Sequence, residues 1–246
     1  MLHKIFFNSH SSNNSVSLPC LVKTAMYKTS KILLLFSLVF CFSCFEAIEE
    51  ISLSKDGSGK IAITLNLSQS RTKLASIMLL DSIHNYKVPS QKEIERELNN
   101  IKNKISKIKG TSELKVSSNF KDYIFSITCN FTSVEVLNEV IASFSNQKNG
   151  SKIKKHKHFS FNTKKGLFKR SYHYNVKELF AKVKKKDKAI FNNASLTTIY
   201  RFSRPITHFS NTKAKRSPNK KAILLMVKGN ELVNGKESIK NQIFLN

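Results

Sequence analysis

Period-two alternation opens the patterned part of the chain. Glu50-Ile51-Ser52-Leu53-Ser54 and Ile61-Ala62-Ile63-Thr64-Leu65-Asn66-Leu67 place apolar residues at every second position, the spacing of a half-buried strand. Between them, Lys55-Asp56-Gly57-Ser58-Gly59-Lys60 supplies Asp-Gly, a hairpin signal, and two glycines that take positive φ at low cost. The period then lengthens. Over residues 68–83, Leu74, Ile77, Met78, Leu79 and Leu80 fall at helical spacing. Pro89-Ser90 opens a second helix. Its Ser90-Gln91-Lys92-Glu93 has the form of a capping box, and Ile94, Leu98, Ile101, Ile105 and Ile108 make one stripe that Gly110 ends. Strands at 113–118 and 122–131 follow, joined at Asn119-Phe120-Lys121, and Ser133-Val134-Glu135-Val136-Leu137 begins a third helix. The order ββααββα predicts an α+β fold: an antiparallel sheet with helices packed on one face.

The remainder is less regular. Residues 159–163 and 167–174 read as a hairpin around Lys164-Lys165-Gly166, and 176–191 as a helix carrying Leu179, Phe180, Val183, Ile190 and Phe191. Residues 197–202, 206–209 and 222–227 read as strands that extend the first sheet or build a second beside it. Turn formers at Ser145-Asn146-Gln147-Lys148-Asn149-Gly150-Ser151 mark a boundary. They divide an α+β domain over 44–146 from a second α+β part over 147–246, either within one domain or as two.

The amino-terminal region has a different pattern. Lys31 to Phe45 reads KILLLFSLVFCFSCF, apolar without a polar face and preceded by Lys28. A basic start, a short apolar run and a small residue at the cut are the layout of a secretory signal. The run is shorter than the roughly 20 residues of a bilayer-spanning helix. Residues 26–43 are therefore expected to be a signal peptide, cleaved after Ser43. Residues 1–25 are polar and patternless, which fits an over-extended reading frame whose true start is Met26.

Cys41-Phe42-Ser43-Cys44 resembles a bacterial lipobox, the motif of signal peptidase II, with Ser43 at the small position and Cys44 at the lipidated one. Cys41 and Phe42 depart from the usual residues of that motif. The resemblance implies that Cys44 is lipidated and becomes the mature amino terminus. The lipobox, the Asp56-Gly57-Ser58-Gly59 hairpin, the run Tyr200-Arg201-Phe202-Ser203-Arg204-Pro205-Ile206 with Asn211, and Lys220-Lys221-Ala222-Ile223-Leu224 together resemble Bacteroidetes-type envelope lipoproteins. More distantly they are similar to the LppM-type lipoprotein domain. That resemblance implies an α+β envelope domain without known catalysis, anchored to a bacterial membrane, expected to be the outer one, and supplies no functional residues.

Charge changes the picture of the second half. The chain has 42 Lys+Arg against 16 Asp+Glu, a net charge of +26. Residues 44–146 hold 13 basic and 12 acidic residues, whereas 147–246 hold 25 basic and four acidic. The basic run Lys182, Lys184, Lys185, Lys186 and Lys188, with aromatics interleaved nearby, is the candidate polyanion contact. Three readings fit it: solvation under a compositional bias toward Lys, attraction to anionic lipid or glycan surfaces, and nucleic-acid binding. Export and the scarcity of Arg, six against 36 Lys, weigh against nucleic acid. An exported nucleic-acid or polyanion-binding module is the alternative function.

No catalytic constellation, cofactor or metal site is expected. Gly57-Ser58-Gly59-Lys60 lacks both the upstream Gly and the following Ser or Thr of a P-loop. His156 and His158 stand among lysines, which oppose a bound cation and suggest a solvated charge run. Cys129 falls in an apolar strand pattern and reads as a buried structural thiol.

Overall fold

Asp56 sets the first turn. Its carboxylate accepts hydrogen bonds from the Ser58 N–H and hydroxyl, and Gly57 takes φ 91°. Gly59 follows where a Cβ would meet the Ser52 carbonyl oxygen at 2.1 Å, so a side chain there would force the two strands apart. The computed structural model describes residues 45–83, 86–144, 157–171 and 193–246. In chain order it forms β1 (Glu46–Leu53), β2 (Gly59–Asn66), a 3₁₀ turn at Ser68–Ser70, α1 (Arg71–Ile77), β3 (Ser82–Ile83), β4 (Tyr86–Lys87), α2 (Gln91–Ile105), β5 (Thr111–Asn119), β6 (Ile124–Phe131) and α3 (Val134–Ser143). Then come β7 (Phe159–Asn162), β8 (Leu167–Arg170), β9 (Ser195–Phe202), β10 (Ile206–Phe209), β11 (Lys215–Arg216), β12 (Ala222–Lys228), α4 (Gly229–Val233) and β13 (Asn241–Leu245).

The fold is mixed α+β with more than one sheet. A seven-stranded sheet runs β11-β12-β9-β1-β2-β6-β5, a four-stranded sheet runs β10-β13-β8-β7, and β3 and β4 pair alone. The expected wholly antiparallel sheet needs correction, because β1 and β9 pair in parallel. No hairpin can join parallel neighbours, and well over a hundred residues separate these two in sequence. The strands after residue 147 divide between the sheets: β9, β11 and β12 extend the one begun by β1 and β2, while β7, β8, β10 and β13 form the second.

Register puts one face of the large sheet into the core. Ile223, Tyr200, Ile51, Ile61 and Cys129 form one row across five strands. Phe202, Leu53, Gly59 and Phe131 form the next. Over β1 and β9 this face is covered by the second sheet, whose Phe168 ring packs against Tyr200 and Phe202 with centroids 5.3 and 5.4 Å away. Over β5 and β6 it is covered by α2 and α3. Helices therefore share the core face with a sheet, where helices alone were expected. Asn138 of α3 links the layers: its side chain donates to the Phe159 carbonyl and accepts from the His158 and Phe159 N–H groups.

The first predicted helix is much shorter than its pattern. Of residues 68–83 only Arg71–Ile77 are α-helical, and none of these seven is buried. An isolated short helix is marginal without a packed face, so nothing extends this one through Leu79 and Leu80. The second helix carries the predicted capping box, with Ser90 and Glu93 bonding reciprocally. His158, read as part of a solvated run, is buried at the start of β7 instead.

Candidate functional site

The apolar stripe of α2 lies over the core face of β2 and β6, but not tightly along its whole length. At the carboxyl end Ile105 is fully buried. Toward the amino end a cleft of about 640 Å³ opens between helix and sheet. Its floor is Ile63, Leu65, Phe125 and Ile127, its roof is Ile94, Leu98 and Ile101, and Leu67, Pro89 and Phe144 close its ends. The volume lies inside the roughly 300–1,000 Å³ range of small-molecule sites, and an apolar lining with few polar groups is their usual composition.

Charge is confined to the rim, at Lys87, Glu93, Arg96 and Glu97. Lys87 pairs with Glu93. That hydrogen bond, with further ones from the Ser90 N–H and hydroxyl, holds the Glu93 carboxyl down at about 2. A lowered carboxylate stabilises the fold above its unfolded value of 4.5, and the contribution is lost as pH falls toward 2. The cap that fixes the cleft's entrance thus stays ionised across neutral and mildly acidic pH.

A second polar cluster is wholly internal. Glu49 of β1 is in phase with Ile51 and Leu53, so its carboxylate points into the core. Arg170 of β8 reaches it from the other sheet, Nε to Oε1 at 3.1 Å and Nη2 to Oε2 at 2.9 Å. The Tyr200 hydroxyl donates to Oε1 at 2.6 Å, and the guanidinium lies 4.5 Å over the Phe159 ring. Burial alone lowers the Arg170 pKa, but the Glu49 carboxylate and Tyr200 reverse the sign and leave it above its ordinary value. Burial, and then Glu49, push the Tyr200 phenol well above its ordinary value, so it remains a neutral donor. The charged groups here are partnered inside the protein, which makes the cluster a clamp between the two sheets.

Of the residues singled out from the sequence, Ile94, Leu98 and Ile101 of the α2 stripe and Glu93 of its capping box line the cleft. Ser43, Cys44 and the lysines at 182, 184, 185, 186 and 188 lie outside the described residues, as do the 145–151 boundary and the 176–191 helix. Cys129 is 1% exposed on the core face of β6, and burial pushes its thiol up to about 11. Among the described residues no group of three His, Cys, Asp or Glu side chains could hold a metal. Among them no helix is long and apolar enough to cross a membrane. Sequence reasoning missed the cleft and the clamp. For the clamp a signal was present: a glutamate on the apolar phase of a strand calls for a buried cation.

No family model and no curated protein matches the chain. Among solved structures, the NMR structure of the folded domain of LppM from Mycobacterium tuberculosis is similar at 10% identity and a TM-score of 0.39. That likeness covers 84% of this chain and 92% of the other. At this level it bears on neither ligand nor mechanism.

Proposed function

We propose that the protein is a non-catalytic lipoprotein of a bacterial cell envelope, anchored through lipid on Cys44, with an α+β domain that presents the α2 cleft to an elongated apolar ligand. The observation that carries the reading is the position of the lipobox-like Ser43-Cys44. It stands two residues ahead of β1, an inner strand of the large sheet. The Phe45 carbonyl already accepts from the Ser195 N–H of β9. Cleavage before Cys44 would therefore release a chain whose first residues enter the fold at once, with the acyl groups at its border. Three acyl chains on one residue exceed the two-signal threshold for stable anchoring. The basic second half adds attraction to anionic lipid or glycan at the same surface.

The test is incorporation of labelled palmitate in a bacterial host, with membrane fractionation, for the wild type and Cys44→Ala. Label and membrane residence should be lost together in the variant. An unlabelled wild type found in the soluble cytoplasmic fraction would overturn the reading.

A further inference from the structure

The strands of the large sheet share a common end. Glu46, at the start of β1, stands opposite Asn66 at the end of β2 and beside Ser195 at the start of β9, and Asn66 in turn faces Ile124 at the start of β6. Cys44 precedes Glu46 by two residues, a reach of about 7 Å at most. From the same end projects an arm that begins at Leu67, whose N–H donates to the Tyr123 carbonyl, and returns at Pro89. Both feet of the arm are fixed there, since Leu67 and Pro89 line one end of the α2 cleft together with Leu65.

The arm has an unusual surface. It contains α1, none of whose residues is buried, and then Met78-Leu79-Leu80. Leu79 is 86% exposed and Leu80 51%. Single exposed leucines are ordinary, but two adjacent ones beside a helix with no core contact make a patch that water opposes. The exposed Asp81 follows the patch directly, and cations of this region stand on α1 and on the neighbouring β5–β6 turn. Arg71 is held by Asp122 of the β5–β6 turn, which ties α1 to the sheet end, and Lys73 and Lys121 have no acidic partner among the described residues.

We propose that this arm is a membrane-contacting element: Leu79 and Leu80 enter the headgroup–acyl boundary of the bilayer that holds the Cys44 lipid, with Lys73 and Lys121 at the phosphate level. The inference rests on the anchored reading above. On that reading a tether of two residues would keep this end of the sheet at the bilayer surface, and among the described residues Leu79 is the most exposed large apolar side chain. Apolar side chains with lysine nearby are the composition of interfacial segments, which bury about 5–10 Å into the boundary. Anchor and arm together would fix the orientation of the domain, with the β1–β2 turn pointing away from the membrane and the α2 cleft opening close to it.

The chain contains no Trp, so a single introduced indole reports its own surroundings. The full-length protein, purified from membranes as Leu79→Trp or as Lys55→Trp, is reconstituted into phosphatidylethanolamine–phosphatidylglycerol vesicles containing brominated lipid. Lys55 is exposed in the turn at the opposite end of the sheet, and both sites are too exposed for the substitution to unfold the core. Leu79→Trp should show a blue-shifted emission, quenched at least about threefold more than that of Lys55→Trp. Palmitate labelling of the same preparations reads the anchor separately. Labelled protein with equal, weak quenching at both sites would overturn the arm while leaving the anchor standing. Unlabelled protein with strong quenching at Leu79→Trp would support the arm and sink the anchor. Absence of both signals would overturn both.

Discussion

Glu49 is the residue on which the two sheets meet. Its side chain is 11% exposed and that of Arg170 is 7%, so both charges have left water. A buried pair is weak evidence of net stability, because desolvation consumes much of the attraction, but it is intolerant of losing one partner. Arg170→Met is expected to leave Glu49 charged and uncompensated, at a cost of about 3–5 kcal/mol in urea unfolding. The double variant Glu49→Met/Arg170→Met removes both charges and keeps the apolar volume, and should recover most of that loss. A double variant as unstable as the single one would show that the pair acts by packing alone. Tyr200 adds a bond from a neutral phenol to a charged acceptor, and Tyr200→Phe should cost less than Arg170→Met because the ion pair survives it. The bidentate geometry also explains why Arg stands here in a Lys-rich chain: the planar fork meets both carboxylate oxygens at once.

The elements divide by how local their causes are. The Asp56-Gly57 turn, the alternation of β1 and β2 and the Ser90–Glu93 cap are decided within a few residues, and all three are readable in the sequence. The length of α1 was not, because helical spacing in residues 68–83 says nothing of whether a partner surface exists. Nor was the parallel pairing of β1 with β9, since an alternating strand specifies its faces but not its neighbour. β13 lies beyond the last strand the pattern predicts, yet its Asn241, Ile243 and Leu245 are buried in alternation, a phase that the sequence carries. His158 shows local composition overridden by tertiary contact: its N–H is held by Asn138 of α3, which draws it out of the lysine run. Of the proposed site, the stripe of α2 was legible, but the cleft beneath it was not, because a stripe does not reveal where helix and sheet part. The cleft carries its own prediction. Native protein should raise the fluorescence of 1-anilinonaphthalene-8-sulfonate, and Ile94→Lys, at the roof, should lower that signal several-fold with the urea midpoint nearly unchanged. An unaltered signal would place the probe elsewhere.

For the whole molecule the decisive asymmetry is electrostatic. Each half contributes strands to the large sheet, yet nearly all the net charge belongs to residues after 147. Among the described residues, Lys164, Lys165, Lys215, Lys220, Lys221 and Lys228 of this part are exposed, so neutralising them is expected to leave intact the rows that hold the sheets together. A protein tethered at Cys44 would feel the negative potential of an anionic membrane within one Debye length, about 8 Å at physiological salt, and a lysine near that surface gains about 1 kcal/mol. The run at 182–188 tests whether the second half uses this attraction. Replacing Lys182, Lys184, Lys185, Lys186 and Lys188 by Gln in a Cys44→Ala background removes five positive charges and, by the anchored reading, the lipid. Sedimentation with vesicles rich in phosphatidylglycerol should then bring down less of this variant than of Cys44→Ala alone. The difference should be largest at low salt and vanish near 0.5 M. Equal sedimentation at every salt concentration would assign the lysines to solvation, and leave membrane contact to the anchor and the leucines beside it.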